Sequence, residues 1–341
     1  MKKRSPVKVS PCVFGVTVQP NTYQASYEIN NICNLNCLHC CNRSFSNSDK
    51  GLPLKKIFAL VDDLKKIGTK NIYLTGGEPT LYPHFKEVIK YIHSKGIEVI
   101  LATNGLNIAP FISVIKEYIS PEVGVFVSLD GLKNTHDRLR GKDGAFDKVI
   151  ASIKLLIKNE IRVRVSTVVW SENVKELESL ILLVKSLGVY QINFSTLINV
   201  GNTIRDNSIQ INPKDYSTTV AKIHALIKKY SEKEFIVSTR RDFPLNNRSD
   251  YCHGWERIIH INCRGEIFPC SWIAKSPINH CYGAQWREGK IEDCLQKIAK
   301  FQDLVQKRIL VNGYSGCPAI SLEFSGQKYG ADPLNKLLVG K

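Results

Sequence analysis

The sequence predicts an α/β fold: a partial (β/α)6 TIM-like barrel followed by a small Cys-rich C-terminal cap domain. First, from Tyr23 onward, short apolar runs typical of strands alternate six times with amphipathic runs typical of helices. Right-handed crossovers make such a repeat a parallel sheet with helices on its outer side. Second, the composition changes after residue 250, where six of the eleven cysteines lie.

Each predicted strand is a short run rich in β-branched, aromatic or other apolar residues. The six strands are predicted at residues 27–29, 71–75, 98–102, 123–129, 162–169 and 191–196. The fourth is apolar almost throughout, which is typical of a parallel strand buried on both faces.

The helices are predicted from apolar residues spaced three or four apart on one face. They lie around residues 57–67, 85–92, 111–119, 146–157 and 177–187, with a further helix at 220–227. Gly68 and Gly96 end the first two. We therefore expect an N-terminal arm (1–22), the barrel (23–205), a helical connector (206–250) and the cap domain (251–341).

Composition excludes several classes of protein. No apolar run approaches the ~20 residues of a membrane span, and no signal-like apolar segment follows Met1–Arg4. Eleven cysteines in 341 residues are too sparse for a disulfide scaffold and favour metal binding in a reducing compartment, so we expect a cytoplasmic protein. The formal charge of +16 favours an acidic partner or a lysine-rich surface. No basic stripe interleaved with aromatics indicates a nucleic-acid partner.

The first predicted strand leads into three cysteines with C-x3-C-x2-C spacing: Cys33, Cys37 and Cys40. Three thiolates close together can hold a soft metal centre, and in a four-iron cube they leave one iron open to chemistry. The alternative from these residues alone is a zinc site with His39 as its fourth ligand. Cys41, which follows directly, is expected to pack rather than bind the same centre.

Chemistry-bearing residues also follow the next three strands, as expected for a barrel whose active site lies at the carboxyl ends of its strands. These segments are Gly76–Pro79 after the second strand, Thr103–Gly105 after the third and Ser128–Gly131 after the fourth. We expect them to meet the cysteine loop at one edge of the sheet.

This combination, together with residues His136–Gly141, closely resembles the radical SAM superfamily over residues 23–205. The resemblance implies that Cys33, Cys37 and Cys40 hold a 4Fe-4S cluster whose open iron binds S-adenosyl-L-methionine. Electron transfer would then release a 5′-deoxyadenosyl radical that abstracts hydrogen from a substrate C–H bond.

The resemblance also implies a set of cofactor-binding residues. His39 would lie against the adenosyl group, and Gly76 and Gly77 would let the backbone approach the methionyl amine. Polar or charged groups would bind the ammonium, the ribose hydroxyls or a carboxylate. They are Glu78, Asn104, Ser128, Asp130 and Arg140, with Arg138 as a further carboxylate-binding candidate. Residues of these types also end strands or face solvent in many loops.

The C-terminal segment resembles the SPASM and twitch extensions of this superfamily, through Cys252, Gly265 and Cys270. It departs from that pattern at Tyr314, where the pattern has a cysteine, so we expect at most one auxiliary iron–sulfur cluster. Its ligands would be Cys252 and Cys270 with two of Cys263, Cys281 and Cys317, and the alternative is a cap without metal. Cys263 or Cys281 could instead return a hydrogen atom to a substrate radical. Cys294, on a helical face, is expected to be a buried packing thiol.

These expectations favour a radical SAM enzyme that modifies a ribosomally made peptide, by epimerisation or by a carbon-centred crosslink. One alternative is a radical SAM dehydrogenase of an aminocyclitol or another small molecule. A second, from another class, is a non-catalytic zinc or iron–sulfur binding module. The peptide hypothesis implies an electron donor such as flavodoxin or ferredoxin, and it leaves room for a separate peptide-recognition protein.

Overall fold

All six predicted strands are present in the computed structural model, which describes residues 22–46, 49–197, 201–204, 207–239, 257–276 and 279–312. The strands are β1 (Tyr23–Glu28), β2 (Thr69–Thr75), β3 (Glu98–Thr103), β4 (Val125–Ser128), β5 (Val163–Val169) and β6 (Gln191–Thr196). They are neighbours in chain order, and every pair is parallel. The predicted α/β fold with a parallel sheet is confirmed.

Four further strands, which the sequence analysis did not predict, extend this sheet to ten strands within the described residues. They are β7 (Ile236–Thr239), β8 (Ile258–Ile261), β9 (Glu266–Phe268) and β10 (Ala284–Gln285). β7 pairs parallel with β6, and β8 pairs parallel with β1 on the side away from β2. β9 and β10 are antiparallel additions beyond β8. The predicted connector and cap therefore both contribute strands to the sheet, while the domain boundaries stay a prediction.

The helices that connect strands β1 to β7 follow the predicted order with one addition. They are α1 (Leu54–Lys66), α2 (Phe85–Ser94), α3 (Ile112–Tyr118), α4 (Lys133–Arg140), α5 (Ala145–Lys158), α6 (Leu177–Ser186) and α7 (Pro213–Tyr230). The unpredicted helix is α4. Because Leu139 is its only apolar side chain, its sequence lacks the apolar periodicity from which a helix is predicted. The C-terminal helices are α8 (Ser271–Lys275), α9 (Asn279–Tyr282), α10 (Ile291–Ala299) and α11 (Phe301–Asn312).

Side chains along β1 alternate between the hydrophobic core and the opposite face of the sheet. Ala25 and Tyr27 belong to the main hydrophobic cluster, which also contains the inward faces of α1 and α2. Successive strand residues point to opposite faces, so Ser26 and Glu28 lie on the other face, and both are buried. A buried carboxylate at the end of a strand requires polar partners. None of the described helices is both long and apolar enough to cross a bilayer.

Candidate active site

The cysteine loop follows β1 directly, and its three predicted ligands meet in one place. Cys37 is buried in a small apolar cluster with Leu35 and Ala145, and Cys33 and Cys40 pack against that cluster. Burial raises the pKa of the Cys37 thiol to about 12; the Arg140 guanidinium opposes this shift and the neighbouring thiols add to it. The three thiols thus lie together in one pocket. Because burial disfavours the charged form, a thiolate there needs stabilisation by neighbouring groups.

Part of that stabilisation comes from α4, which lies beside the loop. The Leu38 backbone N–H donates to the Leu139 carbonyl at 2.9 Å. The Arg140 Nη1 lies 3.8 Å from the Cys37 sulfur. A guanidinium beside a thiol favours its anionic form, which is the form that binds metal.

Arg140 is itself held by Asp130, which follows β4. Both the Nε and the Nη2 of Arg140 contact the Asp130 Oδ2, at 2.7 and 2.6 Å. The second carboxylate oxygen of Asp130 accepts from the Val168 backbone N–H at 2.8 Å. Burial alone would raise the pKa of the Asp130 carboxyl, but Arg140 and the nearby histidines lower it below its usual value. Asp130 and Arg140 thus bind each other in the fully buried interior, a partnership that the sequence did not indicate.

On the other side of the loop, Glu78 links the turns that follow β2 and β3. Its completely buried carboxylate accepts from the Thr80 and Thr103 hydroxyls, both at 2.8 Å, and from the backbone N–H of Thr80 and Asn104. Burial raises the pKa of Glu78, and these donors oppose that shift. The predicted contact of Glu78 with a ligand ammonium stays a prediction.

Asn104 connects Glu78 to the cysteine loop. Its backbone N–H is held by Glu78 at 2.7 Å. Its side-chain Nδ2 donates to the Asn34 side chain at 2.7 Å and lies 3.7 Å from the Cys33 sulfur. Two of the three thiols therefore have a nitrogen donor beside them, one from the turn after β3 and one from the end of helix α4.

The two glycines of the Gly76–Pro79 turn are explained by the protein's own packing. A Cβ on Gly77 would lie 2.1 Å from the Ile32 carbonyl oxygen, and one on Gly76 would lie 2.6 Å from the Asn30 carbonyl oxygen. Gly76 also has φ +153°. The turn lies against the start of the cysteine loop, where the Glu78 N–H donates to the Ile32 carbonyl at 2.7 Å.

The remaining predicted contacts lie at the same edge. His39 is half-buried, and its buried Nδ1 has no hydrogen-bond partner. Burial, followed by the charge of Arg140, lowers the pKa of His39 to about 4, so the ring is neutral. Ser128 ends β4 and is half-buried. Arg138 instead lies on the exposed side of α4 and pairs with Glu172 at 2.7 Å.

Sequence reasoning missed a second buried polar group at this edge, centred on Glu28. The Lys275 Nζ lies 2.9 Å from each carboxylate oxygen of Glu28, and the His260 Nε2 lies 3.4 Å from one of them. Burial alone would raise the pKa of Glu28, but His260 and Lys275 lower it to about 2. In the sequence Glu28 was visible only as an acidic residue in the predicted strand 27–29, and Lys275 gave no signal at all.

The C-terminal cysteines within the described residues lie in different environments. Cys263 is buried, and Cys270 accepts from the Ile273 N–H as the N-cap of α8. Cys281 is exposed, with its sulfur 3.3 Å from the His280 Nε2. Cys294 is buried, and Cys41 packs against the main core, as predicted for both. Cys252 and Cys317 lie outside the described residues, so the predicted auxiliary cluster stays a prediction.

The donor set at the cysteine loop fits a four-iron cube. Cys33, Cys37 and Cys40 lie around one small cluster of buried residues. In a four-iron cube each thiolate binds a different iron, so the sulfurs surround the cluster rather than meeting at one point. Three thiols with nitrogen donors beside two of them fit that arrangement.

Comparisons with known proteins agree with this site. Residues 27–184 match the model of the Radical SAM superfamily. The AdoMet-dependent heme synthase of Methanosarcina barkeri is 28% identical over 73% of this chain and 76% of its own length. AlbA of Bacillus subtilis, an antilisterial bacteriocin subtilosin biosynthesis protein, is 28% identical over 75% of this chain and 56% of its own length.

The fold agrees as well. A crystal structure of Streptococcus suis SuiB bound to S-adenosylmethionine gives a TM-score of 0.72 at 16% identity, covering 92% of this chain and 77% of SuiB. Another SuiB structure, with the precursor peptide SuiA bound, gives 0.64 at 16% identity over 82% and 65%.

Residues 27–184 therefore match a radical SAM domain, and the relatives of the chain are radical SAM enzymes, among them enzymes of the SPASM and twitch type. Enzymes of this family use a 4Fe-4S cluster and S-adenosylmethionine, which confirms those two predicted cofactors.

The ion pair between Glu28 and Lys275 should make the stability of the fold depend on pH. Its folded pKa of about 2 lies below the ordinary value of 4.5, so its stabilisation is complete above about pH 5 and is lost as pH falls towards 2. That difference corresponds to about 3 kcal/mol. In urea unfolding of the metal-free protein, Glu28→Gln should lower the free energy of unfolding at pH 7 and flatten its fall between pH 5 and 3.

The exposed Glu87 on α2 offers a matched control. Glu87→Gln should leave both the stability and its pH profile close to those of the wild type. A Glu28→Gln protein that keeps the wild-type acid slope would show that Glu28 is not held ionised by its neighbours.

Proposed function

We propose that this enzyme cleaves S-adenosylmethionine reductively at the cysteine loop and takes a hydrogen atom from a C–H bond of a ribosomally made peptide. The observation that carries the proposal is the set of three thiols in one pocket, with Asn104 and Arg140 beside two of them. The bound cluster and S-adenosylmethionine supply the electron and the 5′-deoxyadenosyl radical. The chain's own residues hold, orient and enclose them.

The contacts divide these predicted site residues into three groups. Cys33, Cys37 and Cys40 are the proposed cluster ligands. The neutral His39 ring, Ser128 and the backbone of the Gly76–Gly77 turn are proposed to contact S-adenosylmethionine. Glu78, Asp130 and Arg140 have their polar atoms engaged inside the protein, so we propose that they position the loop.

A peptide substrate is supported by the relatives. AlbA takes part in making the bacteriocin subtilosin, and a SuiB structure contains the precursor peptide SuiA. The formal charge of +16 also favours an acidic partner. The reaction would need an electron donor such as flavodoxin or ferredoxin, and delivery by a separate peptide-recognition protein remains part of the proposal.

A second candidate is a small-molecule substrate such as a tetrapyrrole. It is favoured by the heme synthase relative, which the chain matches over 76% of that protein's length. Peptides encoded beside the gene, synthesised with deuterium at their Cα positions, would separate the two candidates. Deuterium in the 5′-deoxyadenosine would support the peptide. No transfer from such peptides, with turnover of a tetrapyrrole instead, would support the small molecule.

The radical chemistry itself is tested on protein purified and reconstituted without oxygen. With dithionite and S-adenosylmethionine, the wild type should form 5′-deoxyadenosine. Alanine at Cys33, Cys37 or Cys40 should each remove that activity together with the cluster iron. Cys41→Ala is the matched control, since this neighbouring thiol packs against the core and should keep both. A colourless, zinc-loaded wild type that leaves S-adenosylmethionine intact would contradict the proposal.

If the reaction is an epimerisation, Cys263 is the better of the two predicted hydrogen donors. It lies two residues beyond β8, whose Ile261 pairs with Tyr27 next to the cysteine loop. Cys263 is also buried, and burial raises its pKa to about 12, so it keeps the S–H hydrogen that a donor needs. Cys281 is exposed. One electron from the external donor and one proton from solvent would restore the thiol after each transfer.

Cys263→Ala should therefore keep the iron and the formation of 5′-deoxyadenosine, yet place no solvent deuterium in the peptide product. Cys281→Ala should behave as the wild type in all three measurements. Lost iron in Cys263→Ala would instead identify Cys263 as a cluster ligand, and unchanged deuterium incorporation would exclude it as the donor.

A further inference from the structure

The Glu28–Lys275 ion pair joins parts of the chain that are 247 residues apart. Glu28 is the last residue of β1 and leads into the cysteine loop, whereas Lys275 is the last residue of α8. Only 7% of the Glu28 side chain and 17% of the Lys275 side chain are exposed. Two charges buried this deeply constrain each other, because separating them leaves each without a counter-charge.

Asn42 extends the pair to the glycine turn. This residue lies two positions after the last cysteine ligand, and its Nδ2 donates to the Glu28 carboxylate at 3.0 Å and to the Gly76 carbonyl at 3.4 Å. One amide group is thus shared between the ion pair and the turn that is proposed to meet the methionyl end of S-adenosylmethionine. A shift of the Glu28 carboxylate would change the balance between these two hydrogen bonds.

Lys275 belongs to the C-terminal segment, where it ends helix α8. Helix α8 is only five residues long, and its buried Ile273 belongs to a separate small hydrophobic cluster with Tyr282, Phe301 and Leu304. Its N-cap is Cys270, one of the predicted auxiliary cluster ligands. The position of Lys275 therefore depends on how this C-terminal cluster is packed.

We infer that the Glu28–Lys275 pair is a positioning device through which helix α8 sets the glycine turn, so that the C-terminal segment controls how tightly S-adenosylmethionine binds. The inference rests on the proposed function, since it assigns the glycine turn to that cofactor. Lys275 and Glu28 act through Asn42 and touch neither cofactor nor substrate. A substrate or a metal that repositions α8 would change cofactor affinity through this pair.

The test compares reconstituted wild type with Lys275→Met, using equilibrium dialysis of S-adenosylmethionine, iron content and the EPR spectrum of the reduced cluster. Lys275→Met should keep its iron but bind the cofactor about tenfold more weakly, a loss of about 1.4 kcal/mol. It should also show a smaller change in the EPR spectrum when S-adenosylmethionine is added. Lys275→Arg keeps the charge and should recover most of the affinity.

Lys56→Met is the matched control, because it breaks another ion pair between the barrel and the C-terminal segment. That pair, Lys56 with Glu288 at 3.1 Å, is exposed at 54% and 61% of its side chains. It should leave affinity and spectrum unchanged. The route through Asn42 is tested by a double-mutant cycle: in an Asn42→Ala background, Lys275→Met should weaken binding much less than in the wild type.

Three results would overturn the inference: Lys275→Met with wild-type affinity, additive losses in the cycle, or equal losses of iron in Lys275→Met and Lys275→Arg. All of them require that the wild type binds S-adenosylmethionine. A wild type that does not bind it would instead refute the proposed function.

Discussion

The position of the cysteine loop depends above all on the buried ion pair between Asp130 and Arg140. The loop itself has almost no regular secondary structure, so its shape must be imposed by its neighbours. Arg140 reaches the Cys37 sulfur from the end of α4, and Asp130 fixes the guanidinium from the end of β4. Without Arg140, Asp130 would be a buried carboxylate with no counter-charge, which the fold could accommodate only by moving or protonating it.

A second buried carboxylate, Glu78, supports the cysteine loop from its other side. It binds the turns after β2 and β3 to each other, and through Asn104 it reaches Cys33. The polar side chains at the strand ends are thus used mostly to hold one another. In the proposed function, the three thiols, the neutral His39 ring, Ser128 and backbone groups are left to meet the cofactors, and the supporting residues matter as much as the ligands.

The sequence was sufficient where local pattern decides structure. The six barrel strands and their amphipathic helices follow from apolar periodicity, and the three cysteines follow from their spacing. It was insufficient for α4, which has a single apolar residue, and for β7 to β10, which are only two to four residues long. The roles of the charged residues were harder still to predict from the sequence. A sequence does not tell whether Arg140 binds a ligand's carboxylate or that of Asp130, nor that Glu28 meets a lysine 247 residues away.

We propose that the Asp130–Arg140 pair holds the cysteine loop in the form that binds the cluster. Iron bound per chain after anaerobic reconstitution measures this role in Arg140→Leu, with Arg138→Leu as the control. Both residues lie on α4, but Arg138 is exposed and paired with Glu172. Arg138→Leu should bind as much iron as the wild type, whereas Arg140→Leu should keep its secondary structure and lose most of the cluster iron. A folded Arg140→Leu protein with wild-type iron content would contradict it.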